Sequence, residues 1–79
     1  MMKISRHARN NMRLYKISED DIMSAVESPD VSATEENRMI AMKKFRDKFS
    51  GYPLKVVYEK IKGEIFILTA YPLKKKMGR

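Results

Sequence analysis

The stretch Leu54 to Tyr71, LKVVYEKIKGEIFILTAY, places two runs rich in β-branched and aromatic residues on either side of Lys62-Gly63. Such runs around a short Gly-containing break read as a β-hairpin. Both faces of the expected strands carry apolar side chains, so the hairpin belongs inside a sheet rather than at its edge. Its register depends on the loop. A two-residue Lys62-Gly63 loop would pair Lys55 with Ala70, whereas a three-residue loop closing on a Gly63 bulge would pair Lys55 with Thr69 and set Lys60 opposite Glu64. The charge pair favours the bulged form. That form would gather Leu54, Val56, Tyr58, Phe66, Leu68 and Ala70 on the packing face, leaving Lys55, Thr69 and Tyr71 together on the other.

The preceding chain supplies cover and further strands. Met2 to Ile4 reads as a first strand or extended arm, and Ser5 as the N-cap of a helix from Arg6 to about Lys16. Ala8, Met12 and Tyr15 form the buried stripe of that helix, and Arg, Asn and Lys occupy its remaining surface. A second helix begins after Ser18, with Asp21 at the reciprocal capping position, acidic residues in the first turn, and Ile17 and Ile22 as a hydrophobic staple. It should stop before Pro29. Pro29 to Glu36 reads as a polar connection, and Asn37 to Phe45 (NRMIAMKKF) as a strand. Arg46 to Pro53 then loops back into the hairpin. The expected fold is α+β, in the order β-α-α-β-β-β. Two N-terminal helices would cover one face of a curved antiparallel sheet of three or four strands, and residues 1–79 would form one domain with a frayed basic tail at 74–79.

A chain of 79 residues buries only about 60–65 % of its unfolded surface, so its core must be thin. It has no cysteine to staple that core, and hence no disulfide, thiolate metal site or thiol nucleophile. No apolar run approaches the roughly 18–20 residues that cross a bilayer, and the N-terminus lacks the apolar middle of a secretory signal. The expected location is therefore the cytoplasm, with no membrane partner. Seventeen Lys and Arg against ten Asp and Glu give a formal charge of +7, a field that attracts polyanions. RNA and an acidic protein are the partners that such a charge favours.

Few residues offer catalytic chemistry. His7 is the single histidine; it falls in the first turn of the first helix, and an imidazole can take or give a proton near neutral pH. One histidine cannot hold a metal, and neither a carboxylate pair, a Gly-rich phosphate loop nor a Ser/His/Asp spacing is present. No cofactor or metal is expected. Arg38, Lys43, Lys44 and Lys55 form a basic strand set which, with Thr69 and Tyr71, could grip phosphate and stabilise developing negative charge. The plainer reading of the same residues is a solvated sheet face.

Several short motifs carry a resemblance across nearly the whole chain: His7-Ala8 followed by Met12, Ile17 to Ile22, Leu54-Lys55-Val56-Val57-Tyr58, and Leu68-Thr69-Ala70-Tyr71-Pro72. They resemble a small bacterial and archaeal domain family of unknown function that reads roughly H-A-x-x-R-M-x-x-R-x-I, then L-K-V-V, then V-T-x-Y. It is similar in turn to the BrnT and RelE toxins of the barnase, EndoU, colicin and RelE-like ribonuclease superfamily. The resemblance implies metal-independent RNA cleavage and a small acidic antitoxin partner. Matched position by position, it implies catalytic roles for His7, Lys55, Tyr71 and, at the start of the preceding strand, Arg38, and places Thr69 in the terminal strand motif; with Thr69, Lys43 and Lys44 of the basic strand set are the residues expected on the RNA. Asn11 and Tyr15 stand where the family pattern has arginines.

Two functions are therefore expected in competition. The first is a toxin-type RNA endonuclease, in which a base frees the ribose 2′-hydroxyl to attack the adjacent phosphate. The alternative is a non-catalytic module that binds RNA or an acidic protein through the same charged surface, a reading favoured by the two missing arginines.

Overall fold

The computed structural model describes residues 2–74. Its elements are β1 (Met2–Ile4), α1 (Arg6–Tyr15), α2 (Glu19–Glu27), β2 (Val31–Glu35), β3 (Arg38–Lys43), β4 (Leu54–Ile61) and β5 (Glu64–Pro72). The fold is α+β, as the sequence implies. The sheet has five strands, however, in the order β1-β5-β4-β3-β2, and it is mixed. The hairpin β4–β5 lies inside it. Of the tail expected to fray at 74–79, residues 75–79 lie outside the described residues.

Strand β1 runs parallel to β5, with Met2 beside Ile65 and Ile4 beside Ile67. The reason lies at Ser5. Its N–H donates to the Ile67 carbonyl at 3.0 Å, and its Oγ donates to the Leu68 carbonyl at 2.8 Å while accepting from the Ala8 N–H at 3.0 Å. One residue thus caps α1 and satisfies two carbonyls of the central hairpin. An antiparallel β1 would carry Ser5 away from that end of β5.

The second helix starts as the sequence predicts. Ser18 Oγ accepts from the Asp21 N–H at 3.0 Å, and the Asp21 carboxylate accepts from the Ser18 N–H at 3.1 Å. Ile17 and Ile22, on either side of this capping box, are both buried. The two helices cover the same face of the sheet. Ala8, Ile17, Ile22 and Ala25 pack there against Leu54, Val56, Ile67 and Ala70. Among the described residues, only Ile22, Leu54, Ile67 and Val56 are large and fully buried; at about 1.5–3 kcal/mol each, they make the core as thin as the chain length implies.

The segment Pro29 to Glu36, read from sequence as a connection, contains β2. Its five residues are exposed, which hides the usual alternation. A tight turn at Glu36-Asn37, with Glu36 at φ 55°, folds β2 onto β3 so that Glu35 faces Arg38 and Val31 faces Met42. The Asp30 carboxylate accepts the Lys44 N–H at 2.8 Å and secures the open end.

The hairpin register corrects the bulged loop expected from sequence. Lys62 and Gly63 form a two-residue turn, both with positive φ (52° and 82°), the conformation whose twist matches flanking strands. Ile61 faces Glu64, and Lys60 faces Ile65. The irregularity lies further along. Tyr58 pairs with Ile67 but Val57 pairs with Thr69, so Leu68 is the extra residue of a bulge, and its carbonyl is the one that Ser5 Oγ takes. Beyond the bulge, Val56 faces Ala70 and Lys55 faces Tyr71. Core-facing residues of β5 are therefore spaced two, three and two apart: Ile65, Ile67, Ala70, Pro72. Phe66, expected in the core, pairs with Glu59 on the opposite face.

Candidate nucleic-acid interface

Partners across a ladder share a face, and residues alternate along each strand. The face turned away from the helices therefore carries Lys3 of β1, Phe66, Thr69 and Tyr71 of β5, Lys55, Val57 and Glu59 of β4, Arg38, Ile40 and Met42 of β3, and Val31 of β2. Its middle is apolar, with Ile40, Met42 and Val57 half-buried, and no other element covers it among the described residues. Charged groups ring this patch. Uncovered apolar surface with a polar rim is the usual character of a binding face.

At one end of the face, the bulge brings Lys55 directly opposite Tyr71, with Lys55 Nζ 5.8 Å from the centre of the phenol ring. Thr69, two residues before Tyr71, accepts a hydrogen bond at 3.4 Å from Asn11 Nδ2 of α1. His7 is exposed one helical turn before Asn11, and residues four apart on a helix are surface neighbours. His7, Asn11, Thr69, Tyr71 and Lys55 thus form a continuous chain of neighbours drawn from α1, β5 and β4. Asn11 is the member that sequence reasoning did not select, although it stands at a position where the motif has arginine. Its signal was the four-residue spacing from His7.

The other basic candidates do not join this group. Arg38 faces Glu59, their side chains 3.9 Å apart at the opposite end of the strands. Glu59 lies four residues from Lys55 along β4, about 13 Å at the usual strand rise. Lys43 pairs with Leu54 and so lies on the helix-covered side, where its Nζ donates to the Ser28 carbonyl at the end of α2, at 3.0 Å. Lys44 is exposed just beyond β3. Lys3, in contrast, is on the open face, 3.6 Å from Glu64 and 5.7 Å from the centre of the Phe66 ring.

Among the described residues, no three or more His, Cys, Asp or Glu side chains gather where they could hold a metal ion. The carboxyl with a clear perturbation is Asp21. Burial pushes it up, but the hydrogen bonds from Lys48 and Ser18, with the charge of Lys48, outweigh burial and hold it below its ordinary 3.8. Its partners assign it to the helix cap and the anchoring of Lys48 rather than to proton transfer. No helix among the described residues is long and apolar enough to cross a membrane.

Residues 4–72 match the family model described as a domain of unknown function, DUF4258. The chain belongs to the DUF4258 family. The match runs from the end of β1 to the end of β5 and so takes in every DUF4258 residue of the His7 to Lys55 group. Searches of curated proteins and of solved structures found no match to this DUF4258 chain.

Proposed function

We propose that this DUF4258 protein is a toxin-type RNA endonuclease that works without a metal, related to the BrnT and RelE toxins and acting in the cytoplasm. The observation that carries the reading is the bulge-dependent meeting of Lys55 and Tyr71 beside the Thr69–Asn11 contact. It puts a cation and a phenol next to the helical stripe of the single histidine. In this mechanism, His7 takes the proton of a ribose 2′-hydroxyl, and the freed oxygen attacks the adjacent phosphorus. Lys55 stabilises the charge of the phosphorane, and the bond to the 5′-oxygen breaks as that oxygen receives a proton from Tyr71. The products are a 2′,3′-cyclic phosphate and a 5′-hydroxyl. Arg38 and Lys44 contact the strand further out, and a small acidic antitoxin covers the open face, drawn there by charge.

The second reading is a non-catalytic module that binds RNA or an acidic protein. It is favoured by Asn11 holding Thr69 where an arginine would bring charge, and by the engagement of Arg38 with Glu59 and of Lys43 with Ser28.

Incubation with labelled RNA in EDTA separates the two readings. The endonuclease leaves cyclic phosphate ends, and His7→Ala slows it by about 100- to 10,000-fold, the usual cost of losing a general base. Lys55→Ala weakens RNA binding and reduces its salt slope by about one. If both variants cut within about threefold of the parent, far less than general-base removal costs, the catalytic assignment fails. A parent that binds RNA in a salt-dependent way but cuts nothing is the module.

A further inference from the structure

Past the C-terminal end of β5, on the helix side of the sheet, lies a recess of about 380 Å³. Its walls come from three segments that are distant in sequence: the end of α1, the loop between β3 and β4, and the residues following Tyr71. Three aromatic side chains line it, Tyr15, Phe49 and Tyr52, together with three lysines, Lys16, Lys48 and Lys74. The volume falls at the lower end of the range for small-molecule sites and suits one nucleotide rather than a length of strand.

The lining is held in place from behind. Phe49 stacks edge-on against Phe45, with ring centres 5.6 Å apart. Lys48 is fixed by both oxygens of Asp21, at 2.7 and 2.9 Å, and Lys74 lies 5.8 Å from the centre of the Tyr15 ring. Between Lys48 and Tyr52 the chain makes a left-handed turn, with Phe49, Ser50 and Gly51 at φ 58°, 53° and 83°. Two non-glycine residues in succession seldom adopt this conformation. The turn leaves Tyr52 38 % exposed at the rim. Lys16, itself left-handed at φ 58° as the cap of α1, is exposed beside it.

We propose that this recess binds a single nucleoside monophosphate, its base against the Tyr15 and Tyr52 rings and its phosphate among the lysines. Every base offers a π-face for stacking. The facing carboxylate of Asp21 offsets one of the three lysine charges, so the surplus matches the −1.5 to −2 that a phosphate monoester carries near neutral pH. Tyr71, at the end of the open face, is joined directly to Pro72, which lines the recess. A nucleotide here is therefore adjacent to the candidate interface yet on the other side of the sheet, and its binding requires no cleavage.

The test is titration of adenosine 5′-monophosphate followed by amide chemical shifts, with adenosine, ribose 5-phosphate and a 5′-phosphorylated trinucleotide as further arms. Adenosine 5′-monophosphate should shift resonances at Tyr15, Phe49 and Tyr52. The two half-ligands should bind at least about tenfold more weakly, since each lacks one of the two contacts. Tyr52→Ala and Lys16→Glu should each weaken binding by about tenfold, and Tyr52→Phe should retain it. Lys60→Ala, remote on the hairpin, serves as the control for charge alone. A trinucleotide that binds more tightly than the mononucleotide, and loses that gain in Tyr52→Ala, identifies a strand terminus as the source; equal affinities identify a free nucleotide. The proposal is overturned if neither ligand shifts these resonances, if folded Tyr52→Ala and Lys16→Glu bind as the parent does, or if an acidic peptide occupies the recess while nucleotides do not. RNA cleavage with no binding here would leave the open-face mechanism standing without this site.

Discussion

Replacing Asp21 by alanine is the sharpest test of how this small domain is held together. The carboxylate is 5 % exposed and holds the start of α2, through Ser18, to the β3–β4 loop, through Lys48. Losing the carboxylate half of a capping box costs about 1 kcal/mol. A hydrogen bond to a charged group contributes about 1.5–3 kcal/mol, but the Lys48 side chain is 49 % exposed, so solvent screening reduces that contribution to about 1 kcal/mol. The sum is about 2 kcal/mol, or a fall of about 8–16 °C in Tm for a domain of this size. Because the folded carboxyl is held below 3.8, its ionic contribution is present above that pH and is lost as pH falls through the folded value. Urea titrations at pH 7, 4 and 2.5 should therefore show the gap between parent and Asp21→Ala narrowing with acid, leaving the capping part. Lys48→Met, which removes the cation that opposes burial, should flatten the acid limb. A gap below about 0.5 kcal/mol at pH 7, the range of an ordinary surface change, or a gap that widens as pH falls, would refute this account.

Two further substitutions probe the hairpin and its anchor. Ser5→Ala removes both the α1 cap and the donor to the Leu68 carbonyl, and should cost about 1–2 kcal/mol in chemical denaturation; an unchanged midpoint would show that water replaces both. At the turn, Lys62→Asn should stabilise by about 0.5–1 kcal/mol, because Asn tolerates the left-handed conformation, whereas Gly63→Ala should destabilise by about 1 kcal/mol. The opposite order of melting temperatures would mean that the turn is not the two-residue form.

The elements that sequence announced are those with local chemistry. Ser18 and Asp21 name a helix start by their spacing, Ile17 and Ile22 confirm it, and the β-branched runs around Lys62-Gly63 could only be sheet. What it hid depends on partners. The five exposed residues of β2 carry no alternation, so only pairing with β3 makes them a strand. Three residues cannot announce that β1 lies parallel to β5. The bulge was visible in principle as the three-residue step from Ile67 to Ala70, but the charge pair of Lys60 with Glu64 argued for a different slip. At the candidate site, Lys55 and Tyr71 were legible as same-face residues. Lys43 was not, although parity separates it from Arg38: five residues apart on one strand, the two must point to opposite sides.

The parallel pairing of β1 with β5 also sets the order in which the molecule can be assembled. Contacts between residues 2–4 and 65–67 span nearly the whole described chain, and closing so long a loop is favourable only once the intervening hairpins exist. During synthesis, α1 emerges early with Ser5 at its start, but the carbonyls of Ile67 and Leu68 that receive Ser5 are made more than sixty residues later. A nascent chain therefore carries its first strand without a neighbour until β5 has left the ribosome. Strand β1, made before the other described elements, is among the last of them to find its place. The group that joins α1 to β4 and β5, from His7 to Lys55, does not exist until that final strand is in the sheet.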